Sequence, residues 1–297
     1  MKTVYVIGSI NMDLVIRTAR MVEEGETISG NEFMTNAGGK GANQAVAVAK
    51  MGGRVHMVGN VGKLAFSQEL IESLKKYGVN VDFVQSVEEI SSGIAMIIVT
   101  ENDNRIIIDS GANYTLTKAD VDKALERAQE GDYLLTQMEI LTEITEYALE
   151  MGKAKGMVTI FNPAPYKEIS ENAFKGLEYI IPNQKECEAL TGIYPIDEIS
   201  FKKASFILRE KGVKKVIVTM GKKGSMYDDG SFKSIMCYPA KVVDTTAAGD
   251  TFIGTFAAMM AIGKDAQEAL NIASKAAALT VSRKGAQQSI PYIYEIQ

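Results

Sequence analysis

Near the carboxyl-terminal end of this chain runs Val243-Asp244-Thr245-Thr246-Ala247-Ala248-Gly249-Asp250-Thr251-Phe252, where small residues and one carboxylate lead into an apolar stretch. Small side chains at a helix start leave backbone N–H groups open, and the helix dipole adds positive character there. Ala247, Ala248 and Gly249 can therefore form an anion hole. Asp250 falls in the first turn beside it. A carboxylate so placed can take a proton from a hydroxyl while the hole stabilises developing phosphate charge. An acid at a helix start also complements the dipole with no catalytic part, and both readings stand here.

The second candidate is Asn36-Ala37-Gly38-Gly39-Lys40-Gly41-Ala42-Asn43-Gln44. Its glycines let the backbone approach a ligand closely, and Asn43 can donate to and accept from hydroxyls. A tight loop capped into a helix has the same pattern. Other nucleotide motifs are missing. Gly8-Ser9-Ile10-Asn11-Met12-Asp13 stands where a dinucleotide fold carries G-x-G-x-x-G, no G-x-x-x-x-G-K-[ST] occurs, and His56 is followed by Met57, so there is no H-R-D loop.

The elements that must position these residues alternate. Residues 4–7, 55–58, 132–136, 158–161, 179–181 and 216–219 read as short strands, with helical stretches such as 42–51 and 67–77 between them. Residues 249–283 read as two helices around Gly263. Continuous apolar runs mean strands buried on both faces, and repeated strand–helix units mean a parallel sheet covered by helices. Residues 13–18 with 32–35, and 94–100 with 105–109, read instead as hairpins of a small antiparallel sheet, with a polar turn at Glu101-Asn102-Asp103-Asn104. Such a sheet serves as a flap over a cleft or as an edge extension.

Composition bounds the function. The 297 residues hold 46% hydrophobic residues, which excludes disordered and fibrous classes, and the length suits two domains or one large α/β domain. Lys plus Arg is 32 and Asp plus Glu is 37, a net charge of −5 that argues against nucleic acid as partner. The single histidine, His56, excludes a His-rich metal site and is read as a strand residue. Cys187 and Cys237 lack C-x-x-C spacing, and a reducing cytoplasm is expected. The first eight residues run straight into a strand without a signal-peptide layout, and no apolar run is long enough for a membrane.

The block Gly38-Gly39-Lys40-Gly41-Ala42-Asn43-Gln44 and the block Asp244-Thr245-Thr246-Ala247-Ala248-Gly249-Asp250-Thr251-Phe252, in that order, resemble the two signatures of the ribokinase family, the PfkB carbohydrate kinases. The resemblance runs from Val4 to Pro291. It implies a single α/β domain over 1–297: a three-layer α/β/α fold with a central, mostly parallel sheet and a small β-sheet lid at about 13–36 and 93–110. It implies ATP-dependent phosphorylation of D-ribose at the 5-hydroxyl, giving ribose 5-phosphate. The alternative is another sugar or nucleoside kinase of the family.

The resemblance also assigns residues. Asp250 matches the catalytic base, and Ala247, Ala248 and Gly249 the anion hole. Asn11, Asp13, Gly39, Lys40, Gly41, Ala42, Asn43, Glu139 and Asp250 match the sugar site. A site built to bond hydroxyls rejects analogues that lack them, so Asn11 favours ribose over deoxyribose. Asn183, Thr219, Met220, Gly221, Lys222, Lys223, Gly224, Gly249, Asp250 and Ser274 match the ATP site. Glu186 of Asn183-Gln184-Lys185-Glu186 matches the magnesium–phosphate network, and the same spacing is a capping box. Asp244, Thr246, Thr280, Arg283, Gly285 and Ser289 match a potassium site. A homodimer through the lid strands is implied. One segment departs from the family: Val61-Gly62-Lys63-Leu64-Ala65-Phe66-Ser67 lacks the usual acidic pair and later glycine, which alters either the sugar side of the cleft or only a local turn. Ser274 stands where Asn or His is often found near the adenine.

Overall fold

In the computed structural model, residues 1–101 and 104–296 are described. In chain order the elements are β1 (Thr3–Ile7), β2 (Asn11–Arg17), β3 (Asn31–Gly38), α1 (Lys40–Lys50), β4 (Arg54–Gly62), α2 (Ser67–Lys76), β5 (Asn80–Val87), β6 (Gly93–Val99), β7 (Asn104–Asp109), α3 (Lys118–Leu125), β8 (Tyr133–Thr136), α4 (Thr142–Ala154), β9 (Val158–Phe161), α5 (Glu171–Phe174), β10 (Tyr179–Ile180), α6 (Gln184–Thr191), α7 (Glu198–Glu210), β11 (Lys215–Thr219), β12 (Ser225–Asp228), β13 (Phe232–Ile235), α8 (Ala248–Ile262) and α9 (Ala266–Val281). The polar turn expected at 101–104 includes Asn102 and Asp103, which lie outside the described residues.

The large sheet has the order β13-β12-β11-β10-β9-β8-β1-β4-β5. From β11 to β5 every pairing is parallel, and β12 and β13 add an antiparallel edge. In β1, Val4 and Val6 enter one core with α1, α2, α8 and α9, while Tyr5 and Ile7 enter a second core with α3, α4, α5, α6 and α7. Burial on both faces is why these strands read as unbroken apolar runs. The expected three layers with a mostly parallel central sheet are present. His56 is a β4 residue, its ring stacked on Tyr5 at 5.1 Å and its Nδ1 2.9 Å from Asn80 Oδ1.

The small sheet has the order β3-β2-β6-β7 and differs from expectation in one respect. Its two hairpins are antiparallel, but β2 and β6 join them in parallel. The reason is that β2 follows β1, and β6 follows β5. Both leave the carboxyl-end rim of a parallel sheet and so run the same way.

Two helix contacts matter for the site. The α1 and α8 helices pack closely where Gly254 meets Gln44 and Ala47. At the last turn of α1, Lys50 is buried, and its Nζ donates to the Gln287 and Ile290 carbonyls, each at 2.8 Å, between the rings of Tyr77 and Tyr292. Burial pushes this amine down to about 8. The contact ties the loop after α9 to the helix that carries Lys40, Asn43 and Gln44.

Candidate active site

The parallel strands point their carboxyl ends at one rim, and a polar residue lies at or just past several of those ends: Asn11 after β1, Glu139 after β8, Asn162 after β9, Asn183 after β10 and Thr219 in β11. Open α/β sheets bind ligands along this rim, where helices begin and strand order reverses. Here α1 and α8 both start there.

On one side lies a cleft of about 650 Å³, lined by Asn11, Asp13, Gly39, Lys40, Asn43, Glu139 and Asp250 beneath the small sheet. Gly39, at φ 88, is the residue before α1, a left-handed conformation glycine takes without steric cost. Glu139 Oε2 accepts from Ser9 Oγ at 2.6 Å, from the Lys40 amide at 3.1 Å and from Asn11 Nδ2 at 3.4 Å. Asn11 Oδ1 in turn accepts from Asn113 Nδ2 at 2.6 Å. Gly41 and Ala42 do not line the cleft. They lie against the β1 exit, with the Ala42 amide bonded to the Ser9 carbonyl at 2.9 Å and no room for a side chain on Gly41, whose Cβ would come 2.6 Å from the Ser9 nitrogen.

Four carboxylates act on Lys40. Burial works against its ammonium, yet Asp250, Glu139, Glu186 and Asp13 together hold its pKa above the ordinary lysine value. Asp13 goes the other way: burial first, then Glu139 and Asp250, push its carboxyl up to about 7, against the pull of Lys40. A carboxyl raised this far is held neutral in the fold at pH values where the unfolded chain is ionised. Its contribution to stability is therefore full below pH of about 4 and is lost as pH rises toward 7. Asp13→Asn, which cannot ionise, is expected to be more stable than the parent at pH 8 by up to about 4 kcal/mol and equal to it near pH 4. Thermal denaturation at both values checks this, and a lower melting point at pH 8 contradicts it.

Asp250 stands where the cleft meets a recess of about 240 Å³ that Lys40, Asn162, Asn183, Glu186, Thr219 and Ala247–Asp250 also line. It is 7% exposed. Its Oδ2 accepts from Asn43 Nδ2 and its Oδ1 from Gln44 Nε2, both at 3.0 Å. The α8 start has no side-chain cap, and Ala247 takes the left-handed φ of 59 that alanine adopts only at a cost near 1 kcal/mol. The first intrahelical bond is Thr251 N to Ala247 O at 2.7 Å, so the Gly249 and Asp250 amides have no intrahelical acceptor.

Beyond this recess lies a groove of about 640 Å³, lined by Thr219, Gly221, Lys222, Gly224, Tyr238, Gly249 and Ser274. Ser274 Oγ donates to the Met236 carbonyl at 2.8 Å. Two residues of the 219–224 turn stand apart from the groove. Met220 is buried among core residues, and Lys223 Nζ reaches the Ile196 carbonyl at 3.3 Å. Asn183 and Glu186 do form the capping box. Asn183 Oδ1 accepts from the Glu186 amide at 2.9 Å, and Glu186 Oε2 accepts from the Asn183 amide at 2.8 Å. Burial, then Asp250, raise the Glu186 pKa against the Asn183 bonds.

The proposed cation residues are partly gathered. Asp244 Oδ1 accepts from the Thr246 amide at 2.9 Å and hydroxyl at 2.6 Å, and Oδ2 from the Gly285 amide at 3.0 Å. Ser289 Oγ donates to the Ala286 carbonyl at 2.7 Å, Thr280 Oγ1 lies 3.1 Å from Thr251 Oγ1, and Arg283 pairs with Glu295 at 2.7 Å. Arg283 can thus offer a cation only its carbonyl.

Ser9, Asn113, Gln137 and Asn162 join the site although no motif assigned them, and Gln44, which closes the glycine-rich block, joins it without having been given a role. The available signal was positional for Ser9 and Asn162, polar residues just past apolar strands. Asn113 carried none. The departing segment 61–67 lines none of the three spaces. It is a local turn in which the Leu64 amide bonds the Ile90 carbonyl at 3.1 Å.

A family model described as pfkB family carbohydrate kinase matches residues 1–293. The ribokinase of Schizosaccharomyces pombe is 41% identical over 312 residues, covering 100% of this chain and 97% of that protein. The deoxyribokinase of Salmonella typhi is 38% identical over 292 residues, covering 97% of this chain and 95% of that protein. The structure of Arabidopsis thaliana ribokinase complexed with ribose and ATP has a TM-score of 0.92 at 33% identity, covering 99% of this chain and 97% of that one. With signatures at both helix starts and similarity along its whole length, this chain belongs to the pfkB family of carbohydrate kinases.

Proposed function

We propose that this kinase transfers the γ-phosphoryl group of ATP to the 5-hydroxyl of D-ribose. The observation that carries this reading is Asp250, held by two amides at the junction of the amide- and carboxylate-lined cleft and the uncapped start of α8. Ribose fills the cleft against Asn11, Asp13, Gly39, Lys40, Asn43 and Glu139. Asp250 takes the proton from the 5-hydroxyl as its oxygen attacks the phosphorus. Backbone amides at Ala247, Ala248 and Gly249 receive the charge on the transferring group, which suits a reaction driven by positioning and electrostatics; Gly249 leads, because the Ala248 amide already donates to the Thr245 carbonyl at 3.3 Å and must turn from it. ATP occupies the groove with its base near Ser274 and its phosphates toward Asn183, Thr219 and Lys222.

The donors suit hard cations. Glu186, with both oxygens already engaged by Asn183, would meet magnesium through its water shell, near the nucleotide phosphates. Magnesium supplies charge neutralisation on those phosphates. The Asp244 carboxylate and the carbonyls around Gly285 would hold potassium, which supplies a fixed charge beside the anion hole. The small sheet acts as the lid, with Ile106 and Ile108 facing the cleft. On its other side Phe33, Met96 and Ile107 are exposed and would meet the same face of a second copy, which sedimentation of the purified protein reads. Free thiols and the use of ATP suit the cytoplasm.

The deoxyribokinase relative favours a second reading, phosphorylation of 2-deoxyribose. Against it stands Asn11, buried at the cleft wall with Asn113 on its oxygen and Glu139 on one amide hydrogen, whose second hydrogen a sugar lacking a hydroxyl would leave unmet. A coupled assay with ATP over ribose, 2-deoxyribose, fructose and adenosine, with and without potassium, separates the readings. Ribose is expected to lead 2-deoxyribose in kcat/KM by at least about tenfold. Equal or reversed rates reject ribose as the substrate.

A further inference from the structure

Asp250 is oriented from another helix, and the two amides that hold it differ in kind. Asn43 lines the cleft, whereas Gln44 is fully buried behind the carboxylate. Every polar hydrogen and the oxygen of the Gln44 amide are committed. Its Nε2 donates to Asp250 Oδ1 at 3.0 Å and to Asn162 Oδ1 at 3.1 Å, and its Oε1 accepts from Gln137 Nε2 at 2.7 Å. Asn162 is fixed in turn by donating to the Ile181 carbonyl at 2.9 Å. Reversing the Gln44 amide would set donor against donor at Gln137 and acceptor against acceptor at Asp250, so one orientation satisfies all partners.

Three buried side-chain amides are a costly way to fill space between α1, β8 and β9, because each polar group needs a partner. Apolar side chains of the same volume would serve packing as well. The arrangement also leaves Gln137 Oε1 without a partner, so satisfaction of the amides themselves does not account for it. What it does achieve is a fixed plane for the Asp250 carboxylate, which lines both the cleft and the recess.

We propose that Gln44 is a positioning residue for phosphoryl transfer, holding Asp250 through the buried Gln137–Gln44–Asn162 relay. The inference rests on the reading of Asp250 as the base. Gln44 touches no substrate, so its loss acts through the angle at which Asp250 meets the hydroxyl rather than through binding.

A double-mutant cycle tests this with ribose and ATP on the full chain. Gln44→Met is expected to lower kcat by about 10- to 100-fold, with KM for both substrates within about threefold. In an Asp250→Asn background the same change is expected to alter the residual rate by less than about twofold, because the group it positions is gone. A purely structural role would give the same loss in both backgrounds, and that result overturns the inference. A normal rate for Gln44→Met beside a crippled Asp250→Asn overturns the role of Gln44 alone. An undiminished rate for Asp250→Asn overturns the base assignment, and this inference falls with it. Should Gln44→Met fail to fold, Gln137→Met breaks the outer link while leaving the Asp250 contact, and its smaller loss of kcat must likewise vanish in the Asp250→Asn background.

Discussion

Asp250→Asn is expected to lower turnover by about a thousandfold while leaving ATP and ribose affinity within about threefold. The substitution keeps size and shape, so the cleft and recess stay as they are. It removes the lone pair that accepts the hydroxyl proton, and general-base catalysis by a positioned group is worth roughly 10² to 10⁴ in rate. Stability moves in two directions. One Asn oxygen still accepts from Asn43 or Gln44, but its NH₂ faces the other donor, which costs about 1 to 3 kcal/mol. Removing one of the carboxylates crowded with Asp13 and Glu139 offsets part of that. Steady-state rates, isothermal titration with ATP and a melting curve separate these effects. A rate within tenfold of the parent sinks Asp250 as the base.

Gly254→Val is expected to destabilise the protein by about 3 kcal/mol and to cut kcat by at least about a hundredfold. Gly254 lies one turn beyond Asp250 on α8. A Cβ there would clash with the Gln44 carbonyl oxygen and come 2.6 Å from Ala47 Cβ, both on α1. Neither neighbour is the end of a flexible side chain, so the helices must separate. Helix propensity favours replacing glycine by alanine by about 1 kcal/mol, but overpacking costs about 1 to 3 kcal/mol and more for a β-branched side chain. Gly254→Ala should therefore be mildly destabilising and Gly254→Val severely so. The catalytic loss follows from geometry, because Asn43 and Gln44 ride on α1 and Asp250 on α8. Urea denaturation with kinetics on the folded fraction tests both parts. Normal stability and normal rate in Gly254→Val would show that the helix approach is not what aligns the base.

How much was legible depended on whether the cause was local. The strands at 4–7 and 158–161 could be read because burial on both faces leaves an unbroken apolar signature. The β12–β13 hairpin and β5 carry polar residues at the sheet edges, so the same signature was diluted and they were missed. The parallel β2–β6 pair was missed for another reason: each strand taken alone looks like half of a hairpin, and their relative direction follows from where β1 and β5 end. Likewise 61–67 departs from the family in sequence, and its side chains lie away from the cleft.

The sequence by itself determined the two glycine- and alanine-rich helix starts, the carboxylate beside one of them and the polar residues past the strand ends, because these depend on neighbours within a few residues. Backbone N–H groups lack intrahelical partners at any helix start, and a capping box such as Asn183–Glu186 closes within one turn; whether something from elsewhere in the chain covers them, as Ser9 and Glu139 do at α1, is not local. Only the tertiary structure decided what each group faces. Gln44 and Asn162 are 118 residues apart, Asn11 and Asn113 are 102 apart, and Asn43 and Asp250 are 207 apart. A hydrogen bond tolerates a few tenths of an ångström, and that separation is set by how closely α1 crosses α8 at Gly254 and by the order of strands in the sheet. Those are properties of packing, to which the spacing of residues along one segment is blind.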